Sequence, residues 1–148
     1  MSRAIVAAII VVVALSAAGS QNERETTVDL NQYRWKNRLL LLFAPTRDHP
    51  WFDSLHGSLM AQKVDVADRD LVVFEVLESG LSTVDMEPLI PGTAEMLREK
   101  FGVAEGSFSV VLVGKDGGVK LDHQDQIRLE EIFALIDSMP MRQQEMRR

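Results

Sequence analysis

Cysteine is absent from all 148 residues. The chain by itself therefore cannot form a disulfide, a thiolate nucleophile, a resolving cysteine or a zinc–thiolate site. That absence does not fix the compartment, because export permits disulfides without requiring them. Basic charge is also scarce: 16 Lys and Arg stand against 22 Asp and Glu, for a net charge of -6. Such a balance lacks the cationic footprint of non-specific nucleic-acid binding, so nucleic acid is not expected as a partner. A second large core is excluded by size, since 148 residues at 46% hydrophobic support one. Internal repeats and long low-complexity segments are missing too.

The beginning of the chain reads as a processing segment. Arg3 supplies positive charge, Ala4 to Leu15 is unbroken apolar sequence, and Ser16-Ala17-Ala18 offers the small residues a signal peptidase requires. An apolar run of 12 residues is short for a bilayer span, which takes about 20. The expectation is a signal peptide at 1–18, cut after Ala18 or Gly19, with an uncleaved anchor as the rival. Either way the domain is placed outside the cytoplasm, periplasmic or secreted. Membrane contact is expected only through this segment before cleavage. A flexible lead-in covers 19–29, the folded domain 30–142 and a polar C-terminal tail 143–148.

Within the domain, Leu30 to Asn37 forms a short helix or extended arm, with Tyr33 and Trp35 as packing anchors. Arg38 to Ala44 carries four consecutive leucines and Phe43, the signature of a strand buried on both faces. Pro50 suits the first turn of a helix, Asp48 can cap it, and Trp51, Leu55 and Leu59 make its inward stripe. Asp65 to Asp70 is an acidic lead into a second strand, Leu71 to Leu77. Thr93 caps a helix that Gly102 stops. Ser107 to Val113 is a third strand. Gly114, Lys115, Asp116, Gly117 and Gly118 form a structural hairpin turn, and Val119 to Leu121 returns as a fourth. A last helix runs from about Asp125 to Ser138 until Pro140 breaks the pattern. The order strand–helix–strand–helix–strand–strand–helix makes the first two strands parallel and the last two antiparallel. The fold class is α/β with a mixed central sheet.

The candidate site is the end of the first strand. Arg47 can hold a carboxylate or phosphate through its planar donor fork. His49 can exchange a proton near neutral pH, oriented by Asp48, so Arg47, Asp48 and His49 are the candidate catalytic residues. Arg47, His49 and Trp51 are the candidate binding residues. The plainer reading makes Asp48 a cap and the other two the polar trim of a solvated loop. His49 and His56 are seven apart and can share a helix face. His123 with Asp122 and Asp125 has metal-capable atoms without ligand spacing, and no metal site or cofactor is expected. Asp65, Asp68 and Asp70 lack the glycine and spacing of a calcium loop. The glycine turn lacks the ending of a phosphate loop, and no nucleophile elbow surrounds Ser54 or Ser58. Arg142, Arg147 and Arg148 read as a frayed, solvated tail.

Tyr33-Arg34-Trp35-Lys36-Asn37-Arg38 with the following apolar strand, Asp68-Arg69-Asp70-Leu71, Val113 to Leu121 and Ile136-Asp137-Ser138-Met139-Pro140-Met141-Arg142 together resemble one bacterial exported family. It is numbered 4174 among the domains of unknown function. A related domain recurs in extracellular animal proteins of the sushi-repeat and equarin group. The resemblance implies a thioredoxin-like three-layer sandwich over most of the domain and supplies no reaction. Active thioredoxins and peroxiredoxins carry cysteine in the stretch that is here Ala44 to Pro50, and this chain has Gly106-Ser107 where thioredoxins have a Thr-Pro step. Thiol–disulfide and peroxiredoxin activity are therefore not expected. The leading functional expectation is a non-catalytic binding or interaction domain outside the cytoplasm, recognising another extracytoplasmic protein or a small anionic ligand. The alternatives are a cysteine-independent enzyme acting on a small anionic substrate and an accessory to a redox partner.

Overall fold

The leucine run after Asn37 becomes a central strand, because a segment apolar at every position can be buried only where both faces of a sheet are covered. The computed structural model describes residues 28–148. The segment expected to be a signal peptide, and all of the lead-in before Val28, lie outside the described residues. After a 3-10 turn at Leu30–Tyr33 come β1 (Arg38–Ala44), α1 (Pro50–Ala61), α2 (Lys63–Asp68), β2 (Leu71–Leu77), β3 (Thr83–Val84) and β4 (Glu87–Pro88). Next are α3 (Thr93–Lys100), β5 (Ser109–Val113), β6 (Val119–His123), α4 (Leu129–Asp137) and α5 (Pro140–Glu145).

The sheet order is β4-β3-β2-β1-β5-β6. β1 runs parallel to β2, with Leu39 beside Val72, and antiparallel to β5, with Leu39 beside Val113. β5 and β6 pair antiparallel, as do β2, β3 and β4 in succession. The sheet is therefore mixed and covered on both faces. Leu40, Leu42 and Ala44 point with Leu112 into a core closed by Phe52, Leu55 and Leu59 of α1 and Ile132, Phe133 and Ile136 of α4. Leu39, Leu41 and Phe43 point the other way, with Phe74 and Val111, onto Leu97 of α3 and the partly buried Tyr33 and Phe101. Each fully buried side chain of this kind contributes about 1.5–3 kcal/mol, so the alternation along β1 supports both layers at once.

The structure departs from the sequence reading at several elements. The acidic segment is helical: Gln62 breaks α1, Asp65 and Asp68 lie in α2, and Val66 packs against the core. Two-residue strands β3 and β4 form a hairpin whose Asp85 and Met86 both take positive φ (45 and 71), the geometry of a tight two-residue hairpin turn. Thr93 is the first residue of α3 rather than its cap, a position held by Gly92 at φ 90. The last long helix starts at Leu129, and Pro140 opens α5, where its missing N–H is not needed. Tyr33 packs edge-on against Phe74 at 5.9 Å, but Trp35 is 64% exposed and does not anchor the arm. Its backbone does so instead, donating to the Lys115 carbonyl at 2.7 Å.

The largest departure is at the C-terminus. Arg142 is buried, and α5 carries the chain through Glu145, where a solvated tail was expected. Arg142 donates to the Asp68 backbone oxygen at 2.8 Å and to Asp137 at 3.1 Å. Arg69 bonds Asp137 at 2.8 and 3.1 Å, with its guanidinium 4.0 Å over the Phe133 ring. Arg38, only 1% exposed, and Lys115 both converge on Glu145. The helix is held because each of these buried charges is paired.

Candidate functional site

Pro45 ends β1, and Thr46 to His49 turn the chain into α1, where His49 occupies the N-cap position. Its ring makes no capping bond. Asp48 does not cap the helix either, because its carboxylate accepts the Thr46 hydroxyl two residues earlier. The His49 ring lies flat on Phe108, with centroids 5.2 Å apart and planes at 9°, and meets Trp51 edge-on at 5.5 Å. Trp51 in turn meets Phe108 edge-on at 5.5 Å. The Nδ1 atom of His49 is buried with no hydrogen-bond partner among the described residues. His49 is thus one plate of an aromatic stack linking the β1–α1 loop to the segment before β5.

Arg47 points to different partners. Its Nη2 lies 3.1 Å from Nε2 of His56, and its Nη1 lies 3.6 Å from Oε2 of Glu75. His56 completes the ring of contacts, with Nδ1 2.6 Å from Oε1 of Glu75. A guanidinium can only donate, so Nε2 accepts and Nδ1 carries the proton that it donates to the carboxylate. Phe52, one turn earlier on α1, stacks on the His56 ring at 6.1 Å and 10°, fixing its plane. Glu75 comes from β2, opposite Leu42 on β1 and Thr83 on β3, and is 4% exposed. Arg47 is the solvent-facing member, its side chain 57% exposed.

The structure therefore divides the candidate residues. Arg47 joins His56 and Glu75; His49 and Trp51 join Phe108; Asp48 serves the local turn. Sequence reasoning missed Glu75, which sits inside the apolar run Leu71 to Leu77, and set His56 on a face with His49, whereas the structure turns His49 to Phe108 and His56 to Glu75 and Arg47. A lone carboxylate within a doubly buried strand was the available signal. Chemically, the trio offers two capacities. Arg47 has N–H donors left over for a carboxylate or phosphate. The His56–Glu75 pair is an imidazole oriented by a carboxylate, with its other nitrogen unprotonated beneath Arg47.

Beside the trio runs a groove of about 260 Å³ between α1–α2 and the β2–β3 side of the sheet, lined by Leu59, Met60, Val66, Val73 and Met86, with Glu75 in its wall. No group of three or more His, Asp or Glu side chains suited to a metal ion occurs among the described residues. Asp122 accepts the Ser109 hydroxyl at 3.3 Å, and Asp125 accepts the Gln126 N–H at 2.7 Å. The glycine turn lies at the opposite end of β1 from Arg47. There Gly117 (φ 84) donates to the Gly114 carbonyl at 2.9 Å and Asp116 accepts the Gly118 N–H at 2.9 Å. Lys115 leaves the turn to bridge Asp70 and Glu145 at 2.8 and 2.6 Å.

A family model described as "Domain of unknown function (DUF4174)" matches residues 29–145. Coiled-coil domain-containing protein 80 of Danio rerio is 30% identical, over 79% of this chain and 15% of that protein. Sushi repeat-containing protein SRPX of Homo sapiens is 29% identical, over 79% of this chain and 26% of that one. The chain thus spans only 15% and 26% of these two relatives' own lengths. Among solved structures, the reduced 2-Cys peroxiredoxin of Plasmodium vivax superposes with a TM-score of 0.58 at 15% identity, covering 78% of this chain and 84% of that one. Thioredoxin peroxidase I of Plasmodium yoelii gives 0.58 at 18% identity, covering 78% and 79%. At such identities the likeness establishes the fold, which is thioredoxin-like, and this chain carries it without cysteine.

Proposed function

The chain belongs to the DUF4174 family, and we propose that it is a non-catalytic recognition domain working outside the cytoplasm, with its contact surface at the β1–α1 end of the sheet. One observation carries this reading: Arg47, exposed and rich in donors, is held from behind by His56 and Glu75. An arginine fixed in this way loses little freedom on meeting an anionic group, which is how preorganisation favours binding. The stack of His49, Trp51 and Phe108 beside it supplies flat amphipathic area of the kind found at interfaces. Export is supported by the apolar segment that opens the chain. Among the described residues, no helix is long and apolar enough to cross a membrane.

Site-specific photo-crosslinking in the exported protein tests this. A photoreactive residue at position 46 or 48, exposed on either side of Arg47, is expected to give a discrete adduct, and one at position 120, at the far end of the sheet, none. Equal labelling from both ends, or no adduct from 46 and 48, would overturn the assignment.

A second reading is favoured by the 2.6 Å contact between His56 and Glu75, an arrangement that also serves a general base. It requires an anionic substrate that draws Arg47 off Nε2. Turnover lost in His56→Ala, with folding intact, would favour that reading; turnover unchanged in His56→Ala and Arg47→Ala would reject these residues.

A further inference from the structure

We propose that Glu75, Arg47 and the adjoining groove form a binding site for a free α-amino acid with an apolar side chain. The starting point is the spare acceptor capacity of Glu75. It is buried mid-sheet, at 4% exposure, where an ionised carboxylate is costly unless fully paired. A carboxylate has room for about four hydrogen bonds. Among the described residues Glu75 receives one, from His56 at Oε1, while Oε2 has only Arg47 at 3.6 Å, beyond hydrogen-bond reach. Oε2 is not among the sealed, unpaired side-chain atoms, so this acceptor with spare capacity is reachable from the groove whose wall Glu75 forms.

The charges narrow the class of ligand. An anion alone would meet the Glu75 carboxylate, and a cation alone would meet Arg47. The groove lining carries Lys63 against Glu75 and Asp85, and Arg47, outside the lining but 3.6 Å from Glu75, brings the fourth charge; the two signs then balance, which suits a ligand that is itself neutral overall but carries both signs. In an α-amino acid the ammonium and carboxylate sit on one carbon. The ammonium can donate to Oε2 of Glu75 while the carboxylate takes the outward N–H groups of Arg47, whose side chain is 57% exposed. The side chain then enters the apolar groove of about 260 Å³. His56 is the positioning residue that holds the other Glu75 oxygen. This site rests on the reading of the Arg47 end as a recognition surface and names one ligand for it.

Calorimetric titration of the mature protein tests the site with leucine, glycine, 4-methylpentanoate (leucine without its ammonium) and isoamylamine (leucine without its carboxylate). Leucine is expected to bind at least tenfold more tightly than any of the other three: glycine lacks the side chain, each buried methylene of which is worth about fourfold in affinity, and the other two probes each leave one charged partner unmet. Arg47→Ala, at an exposed position that leaves folding intact, should weaken leucine at least tenfold, as should Glu75→Gln, checked for a native circular dichroism spectrum. No saturable binding at millimolar leucine, equal binding of all four probes, or unchanged affinity in Arg47→Ala would overturn the site. The two proposals fail separately. Leucine converted to product would end the non-catalytic reading while keeping the site; absent leucine binding beside intact adducts from positions 46 and 48 would end the site while keeping the reading.

Discussion

Arg38, the first residue of β1, and Glu145, the last of α5, form a two-pronged ion pair across 107 positions of sequence, with both N–O separations at 3.2 Å. The guanidinium is 1% exposed and also donates to the Arg69 carbonyl at 3.0 Å. This pair fastens the C-terminal helix to the centre of the sheet, at the end opposite Arg47.

Removing one member of a buried pair leaves the other uncompensated, which costs more than the pair itself contributes. Arg38→Met should lower stability by about 3 kcal/mol. Glu145→Gln, with shape kept and one partner face reached by water, should cost about 1–2 kcal/mol. Urea unfolding of the protein checks both; midpoints equal to the parent's would show that α5 is not held by this pair.

The same network sets an acid limit. Burial opposes ionisation of Glu145, but hydrogen bonds from Arg38 and Lys115 outweigh it and hold its carboxyl below the ordinary 4.5. Burial likewise opposes ionisation of Asp137, and Arg69 and Arg142 hold it below 3.8. Depressed folded-state values mean stability that is fully present above the ordinary values and lost as pH falls through the folded ones. The urea midpoint contributed by these groups should hold down to about pH 5 and then decline, less steeply in Glu145→Gln. A midpoint that rises on acidification below that point would contradict the assignment.

The two tryptophans should report different environments. Trp35 is 64% exposed, whereas Trp51 is half-buried against His49 and Phe108. Trp35→Phe should shift emission to shorter wavelength and reduce acrylamide quenching, and Trp51→Phe should do the reverse. Identical spectra from the two variants would refute the stack.

Gly117 combines φ 84 with Arg34 Nε standing 3.1 Å from where a Cβ would be. Gly117→Ala should cost about 1–2 kcal/mol through left-handed strain alone. Thermal unfolding checks it, and an unchanged midpoint would show that the turn relaxes freely.

The sheet was legible where side-chain pattern alone decides structure. Four leucines ahead of Phe43 specify burial on both faces, and a glycine-rich turn between two apolar runs specifies a hairpin. The β3–β4 hairpin was hidden because Asp85 and Met86 take positive φ without the asparagine or glycine that usually marks such a turn. α2 was hidden because its carboxylates reach solvent while Val66 alone turns inward. Arg142 and Glu145 read as solvated for a general reason: a charged residue near a chain end is ordinarily exposed, and its partners here, Asp68 and Arg38, are 74 and 107 positions away. Distance in sequence hid the site as well. Arg47 was visible beside Pro45, but Glu75 and His56, which orient it, meet only after β2 has paired with β1.

The most direct test of that orienting trio is the protonation pattern of the His56 ring, read from imidazole nitrogen shifts by NMR above neutral pH. Arg47 donating to Nε2 and Glu75 accepting from Nδ1 require one tautomer, with the proton on Nδ1 and Nε2 bare. Arg47→Ala should alter the Nε2 signal while Nδ1 stays protonated. A proton resident on Nε2, or the averaged tautomers of a free imidazole, would mean that no recognition site is assembled there.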